Sequence, residues 1–174
     1  MKKTNNNIFL FILWILFTQS VSAQKIKIGS KMPNFELMDQ YSEYFETLDY
    51  KGKKALIIFF YIEDGSPICT REVIAFNEKL EDIKKLDAMV VGINPASILD
   101  HRRFVIKLGI KYPILFDRNN DVQKMFRVSN YKKTKSPQRV TFVVDKEGVI
   151  RKIFHSDDNA EIHVIEALKT LEDL

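Results

Sequence analysis

Residues 55–61 (ALIIFFY) are seven consecutive apolar residues, and they constrain the fold more than any other feature of the chain. A strand with one wet face alternates apolar and polar side chains. An unbroken β-rich apolar run has no face to give to water, so it fits a strand covered by helices on both sides of a parallel sheet. Glu63-Asp64-Gly65 breaks the run. Ser66 is then a good N-cap and Pro67 suits a first helical position, where its missing N–H costs nothing. Val73, Phe76, Leu80 and Ile83 recur at helical spacing, which predicts one helix reaching about Leu86.

The alternation continues. Residues 88–93 (AMVVGI) predict a second buried strand, 99–108 a helix ended by Gly109, 112–116 (YPILF) a third strand and 121–126 a short helix. Residues 139–145 (RVTFVVD) predict a strand that turns through Lys146-Glu147-Gly148 into 149–154. Residues 160–171 close the chain as an amphipathic helix with Val164, Leu168 and Leu171 on one face. Ahead of all this, 29–39 reads as a lead-in with a strand around 35–38, and 47–53 as a turn. The pattern predicts an α/β domain with a mixed central sheet. A length of 174 residues, 45% of them hydrophobic, suits one such domain over residues 24–174.

Residues 1–23 read as a secretory signal. Lys2 and Lys3 form the positive end, 8–17 (IFLFILWILF) an apolar run too short to span a bilayer, and 18–23 a small-residue segment with Val21 and Ala23 before a cut at Gln24. The alternative is an uncleaved anchor. Export places the protein in the periplasm or outside the cell. Cutting removes two lysines and no acid, lowering the net charge from +4 to +2. Lys84-Lys85, Arg102-Arg103 and Lys132-Lys133 are scattered pairs, not the basic stripe that nucleic acid requires, so no nucleic-acid partner is expected. His101, His155 and His163 are too dispersed for a metal cluster and read as solvated or partly buried side chains.

The chain has one cysteine, Cys69. A lone thiol in an exported protein is either reactive or a buried small hydrophobe. Its address favours chemistry: the first turn of a helix has free N–H groups and the positive end of the helix dipole. Making an ordinary thiol mostly ionised at neutral pH takes roughly 2.7 kcal/mol, of which the dipole supplies about 0.3–1 kcal/mol. A cation must supply the rest. Arg71, two positions along the helix, points elsewhere, so that cation comes from another loop.

Residues 61–72 (YIEDGSPICTRE) resemble the peroxidatic loop of peroxiredoxins, and among them the bacterioferritin-comigratory, PrxQ-like group, whose segment reads approximately Y-P-x-D-x-T-P-G-C-T-x-E. Val90-Val91-Gly92-Ile93, His101 with Phe104, residues 112–117 and residues 139–148 follow in the family's order and spacing. The resemblance implies a thioredoxin-like fold and a thiol-dependent peroxidase that needs no cofactor or metal. It implies that Cys69 attacks a hydroperoxide, that Arg139 is the distant cation, that Ser66 offers the hydroxyl the family takes from Thr, and that Glu72 orients the arginine. Three positions depart from the pattern. Ile62 replaces the loop proline, Ile68 replaces the glycine before the cysteine, and Ile74 stands where many relatives carry a resolving cysteine. The implied enzyme is a one-cysteine variant whose oxidised thiol is reduced by a small thiol, a thioredoxin-like protein or a second subunit of a homodimer.

Two other readings compete. Ser66-Pro67-Ile68-Cys69 also resembles the C-x-x-C of exported TlpA/ResA-type thiol-disulfide proteins with its first cysteine lost, although Arg139-Val140-Thr141 stands where those proteins carry a proline. The third reading is a catalytically silent binding module, which Ile62 and Ile68 support.

Overall fold

In the computed structural model, which describes residues 26–132 and 134–174, the apolar run becomes the middle strand of a five-stranded sheet. The elements in chain order are β1 (Glu36–Met38), β2 (Tyr44–Glu46), β3 (Ala55–Phe60), α1 (Pro67–Glu78), α2 (Leu80–Lys85), β4 (Ala88–Asn94), α3 (Ile98–Leu108), β5 (Ile114–Phe116), α4 (Asp121–Met125), β6 (Val140–Val144), β7 (Ile150–His155) and α5 (Glu161–Glu172). The expected signal segment, residues 1–23, lies outside the described residues. Among the described residues no helix is long and apolar enough to cross a membrane.

The sheet order is β5-β4-β3-β6-β7. β3 pairs parallel with β4, placing Ile57 opposite Val90, and antiparallel with β6, placing Ile57 opposite Val143. All six residues of β3 are buried. Because side chains alternate across a strand, Ile57 and Phe59 join one core with Val73 and Phe76 of α1, Ile83 of α2 and Val164 of α5. Leu56, Ile58 and Phe60 join a second core with Phe35, Phe126 and Phe142. The two-sided burial expected of residues 55–61 is therefore observed, and the sheet is mixed, flanked by helices and thioredoxin-like.

Three local expectations need correction. The helix after Pro67 does not run unbroken to Leu86: the chain leaves helical geometry at Lys79 (φ −96°, ψ 8°) and re-enters at Leu80. Val73, Phe76, Leu80 and Ile83 all still face the core, so the apolar spacing is the same with or without the interruption. The stretch 47–53 contains a 3-10 turn, Thr47–Tyr50. It is preceded by β2, which pairs with β1 across a turn held by Asp39 Oδ1 accepting from the Tyr41 and Glu43 amides. Strands of three residues are too short to show a period of two.

Gly92 of β4 is required by close approach. A Cβ there would lie 2.7 Å from Phe59 Cζ and 2.9 Å from Ile114 Cδ1. The Phe59 ring is itself held in a stack on Phe76 at 4.6 Å, with Tyr112 at 6.1 Å. Gly92→Ala is therefore expected to destabilise the domain by about 1–3 kcal/mol, the usual cost of overpacking. Urea denaturation checks this, and an unchanged midpoint would show that the ring yields.

Candidate active site

β3 delivers the chain to the carboxyl end of the parallel strands, where open α/β sheets hold their ligands. Tyr61 is fully buried and Ile62 nearly so. Gly65, at φ +84°, supplies the left-handed turn that swings the chain into α1. Ser66 is the N-cap residue and Pro67 the first residue of α1, as expected. Ser66 accepts from Thr70 N through its carbonyl at 2.8 Å, while its hydroxyl makes no capping bond and is buried without a partner. Cys69 follows in the first turn as a free thiol with no exposed surface.

Residues three apart on a helix share a face, so Glu72 sits one turn from Cys69 and is equally buried. Arg139 is brought to that face from just ahead of β6. Its Nε lies 4.0 Å from Glu72 Oε2, and its Nη1 lies 3.7 Å from Asp157 Oδ1. Neither Nε nor Nη1 has a hydrogen-bond partner, and neither does either oxygen of Glu72. The guanidinium also lies 6.0 Å from the Tyr131 ring. Burial pushes the Glu72 carboxyl well above the usual carboxylate range, and the Arg139 charge only partly offsets this. Arg71, by contrast, turns outward to Glu161 at 3.6 Å, as its position on the helix predicts.

Two of the three histidines overturn the expectation of solvated or partly buried rings, because His101 and His163 are fully buried. His163 Nε2 lies 3.0 Å from the Ser156 carbonyl oxygen and Nδ1 lies 2.8 Å from Thr141 Oγ1. The same Nδ1 is 3.5 Å from Glu72 Oε1. The carbonyl can only accept, so Nε2 carries a proton. Burial holds this imidazole below the usual histidine range, with the Ser156 carbonyl opposing. His101 lies on the other side of the loop. Its Nδ1 is 2.8 Å from Asp64 Oδ2, while Asp64 Oδ1 accepts from Tyr61 Oη at 2.6 Å and Asn94 Nδ2 at 2.9 Å. Burial of Asp64 favours its neutral form, but the donors of His101, Tyr61 and Asn94 outweigh it and hold the carboxyl below its usual range.

The structure thus places Cys69, Glu72 and Arg139 together, with Ser66 at the start of the same helix. Sequence reasoning left Tyr61, Asp64, Asn94, Thr141 and His163 without roles. His163 had a readable signal, since it shares the four-residue spacing of Ala167 and Leu171, both buried on α5. Among the described residues no cluster of His, Cys, Asp and Glu is arranged to hold a metal ion.

The fold and the sequence are those of a known group. The AhpC/TSA family model matches residues 28–153. The chain is 34% identical over 150 residues to "Peroxiredoxin Q, chloroplastic" of Triticum aestivum, covering 86% of this chain and 69% of that one. It is 34% identical over 154 residues to "Peroxiredoxin Bcp" of Bacillus subtilis, covering 86% and 97% respectively. The structure of peroxidoxin BcpB from Mycobacterium tuberculosis superposes with a TM-score of 0.80 at 26% identity, over 86% of this chain and 99% of that one. A Xylella fastidiosa PrxQ structure gives 0.79 at 25% identity, over 86% and 98%.

The burial of Glu72 has a pH signature. A carboxyl held above its unfolded pKa contributes full stability below that unfolded value and loses it as pH rises toward the folded one. Gln mimics the protonated form. Glu72→Gln should therefore gain on the wild type in denaturation midpoint as pH rises from about 4 to 8, the interval that begins at the ordinary carboxylate range. A constant gap across that interval would show that Glu72 ionises normally.

Proposed function

The chain belongs to the AhpC/TSA family as a peroxiredoxin, a thiol-dependent peroxidase, and we propose that Cys69 alone carries its redox chemistry. The observation that carries this reading is the shared helical face of Cys69 and Glu72, with the under-bonded guanidinium of Arg139 against it. The Cys69 thiolate attacks the terminal oxygen of a hydroperoxide. An S–O bond forms, the O–O bond breaks, and the departing oxygen leaves as an alcohol or water after taking up a proton. Arg139 stabilises both the thiolate and the charge that grows on the peroxide oxygens. The buried Ser66 hydroxyl donates to the bound peroxide, and Glu72 flanks the guanidinium.

Cys69 is left as a sulfenic acid. No second cysteine exists to condense with it, and Ile74 occupies the position of a resolving thiol. A homodimer would supply only another buried Cys69. The reductant is therefore an external thiol, either a small molecule or a thioredoxin-like protein. One thiol condenses with the sulfenic acid, releasing water, and a second releases Cys69 as a thiol and leaves as the disulfide. The dithiol-exchange and silent-module readings are not favoured beside family membership. Export belongs to the same proposal, on the strength of Lys2, Lys3 and residues 8–17. Mass spectrometry of the exported protein should find a chain beginning at Gln24, and a chain retaining residues 1–23 would replace cleavage by anchoring.

With a supplied thiol, the wild type should consume peroxide and Cys69→Ser should fall to background. Arg139→Ala should lower the second-order rate of Cys69 oxidation by about 10²–10³, the usual effect of losing one charge-stabilising donor. Equal peroxide consumption by wild type and Cys69→Ser would end the single-cysteine mechanism.

A further inference from the structure

Asp64 takes part in no step described so far, yet it is the best-bonded side chain in the loop that covers Cys69. Its carboxylate accepts from three donors on three elements. Tyr61 Oη comes from the end of β3, Asn94 Nδ2 from the end of β4 and His101 Nδ1 from the first turns of α3. An ionised carboxylate can only accept, so Nδ1 of His101 carries the proton. The two external anchors are themselves fixed. Asn94 Oδ1 accepts from the Ala96 amide at 2.7 Å, which sets the amide orientation and turns Nδ2 toward Asp64. His101 follows a capped helix start, where Ser97 Oγ accepts from the Asp100 amide at 3.2 Å. The His101 side chain is 0% exposed and that of Asp64 11%.

On its outer side the same loop is unbacked. Glu63 and Gly65 are exposed, and beside them lies an open depression of about 460 Å³ lined by Asp64, Ala96, Asp100, Arg103, Phe104 and Lys107. The loop is thus held inward by the bonds of Asp64 and is free to swing outward if they break. The reaction demands both positions. Oxidation needs Ser66, the helix start and Cys69 in register with Arg139. Reduction needs an external thiol to reach a sulfur that has no exposed surface in the closed form.

We propose that Asp64 and His101 are positioning residues that latch residues 61–66 closed over Cys69 and so divide the catalytic cycle between peroxide and reductant. The latch acts through the loop and touches neither reacting oxygen nor incoming thiol. The inference rests on Cys69 being the peroxidatic thiol. Its direct consequence, protection of Cys69, can be read without turnover.

The test uses the full exported chain and variants His101→Leu, His101→Asn and Asp64→Asn. Because Cys69 is the only cysteine, intact mass reports its alkylation by iodoacetamide. Rates taken at several pH values allow the thiolate fraction to be divided out. Loss of a hydrogen bond to a buried carboxylate should shift the open population by about tenfold or more. His101→Leu should therefore alkylate about tenfold faster and oxidise with peroxide several-fold more slowly, while reduction of its sulfenic acid by a small thiol accelerates. His101→Asn restores a donor at the place of Nδ1 and should return all three rates toward wild type. Asp64→Asn keeps the size of the side chain and gives the same opposed changes if His101→Leu does not fold. Alkylation that is unchanged or slower in folded His101→Leu or Asp64→Asn would overturn the latch. Peroxide and reductant rates that fall together would do so as well. A wild type that peroxide does not oxidise would instead sink the peroxidase reading, leaving the alkylation rates to judge the latch alone.

Discussion

Everything at the site depends on β3 being buried on both faces. A strand with no wet side must have helices above and below it, so the chain cannot turn back directly and must cross to α1 before running parallel as β4. That crossover leaves at the carboxyl end of the parallel strands, where β4 also ends. The loop 61–66, the side chain of Asn94 and the first turns of α3 therefore meet in one place for topological reasons. Gly92 belongs to the same constraint, because Phe59 can fill the core under α1 only where β4 offers no side chain against it.

Two buried carboxylates near Cys69 have opposite environments, and the contrast assigns them different work. Asp64 has three donors and is held below the usual range. Glu72 has no hydrogen bond and is held above it. An ionised group with every lone-pair direction occupied is a fixed point, suited to hold a loop. A carboxyl 4.0 Å from a guanidinium and 3.5 Å from an imidazole nitrogen, bonded to neither, leaves its proton to be settled by the pair of neighbours. While Glu72 keeps that proton it does not cancel Arg139, and the cation stays available to the sulfur and the peroxide.

The parts of the fold that could be read from the chain were those with strong periods or strong punctuation. Residues 55–61, the Ser66-Pro67 helix start, the helix end at Gly109 and the hairpin at Lys146-Glu147-Gly148 are of this kind. β2 and the interruption at Lys79 were not readable, because one is too short to show a pattern and the other leaves the apolar spacing intact. The candidate site divided the same way. Cys69, Ser66 and Glu72 lie within one local segment, and Arg139 was reached through the resemblance to a family. His101 and His163 were misjudged as solvated because a histidine in a helix carries no mark of its partner. What buries them is Asp64 on a loop 37 residues away, and Thr141 on a strand 22 residues away.

The loss of a second cysteine changes what the loop must do. In a protein with a resolving thiol on its own chain, oxidation is followed by an intramolecular step whose effective concentration is high. Here the sulfenic acid of Cys69 waits for a diffusing thiol, and it waits in a closed, buried site. During that interval the geometry that favours the first peroxide also favours a second, which would carry sulfur on to the sulfinic state that ordinary thiols do not reverse. A loop held too tightly therefore trades reduction for overoxidation, and one held too loosely loses the alignment of Cys69 with Arg139. Ile62 and Ile68, in place of proline and glycine, alter the backbone of that loop on either side of Gly65. Neither replacement supplies an anchor of its own, since both side chains are apolar. The restraint that closes the loop therefore falls on the polar contacts of Asp64, and their strength sets where between those two failures the enzyme operates.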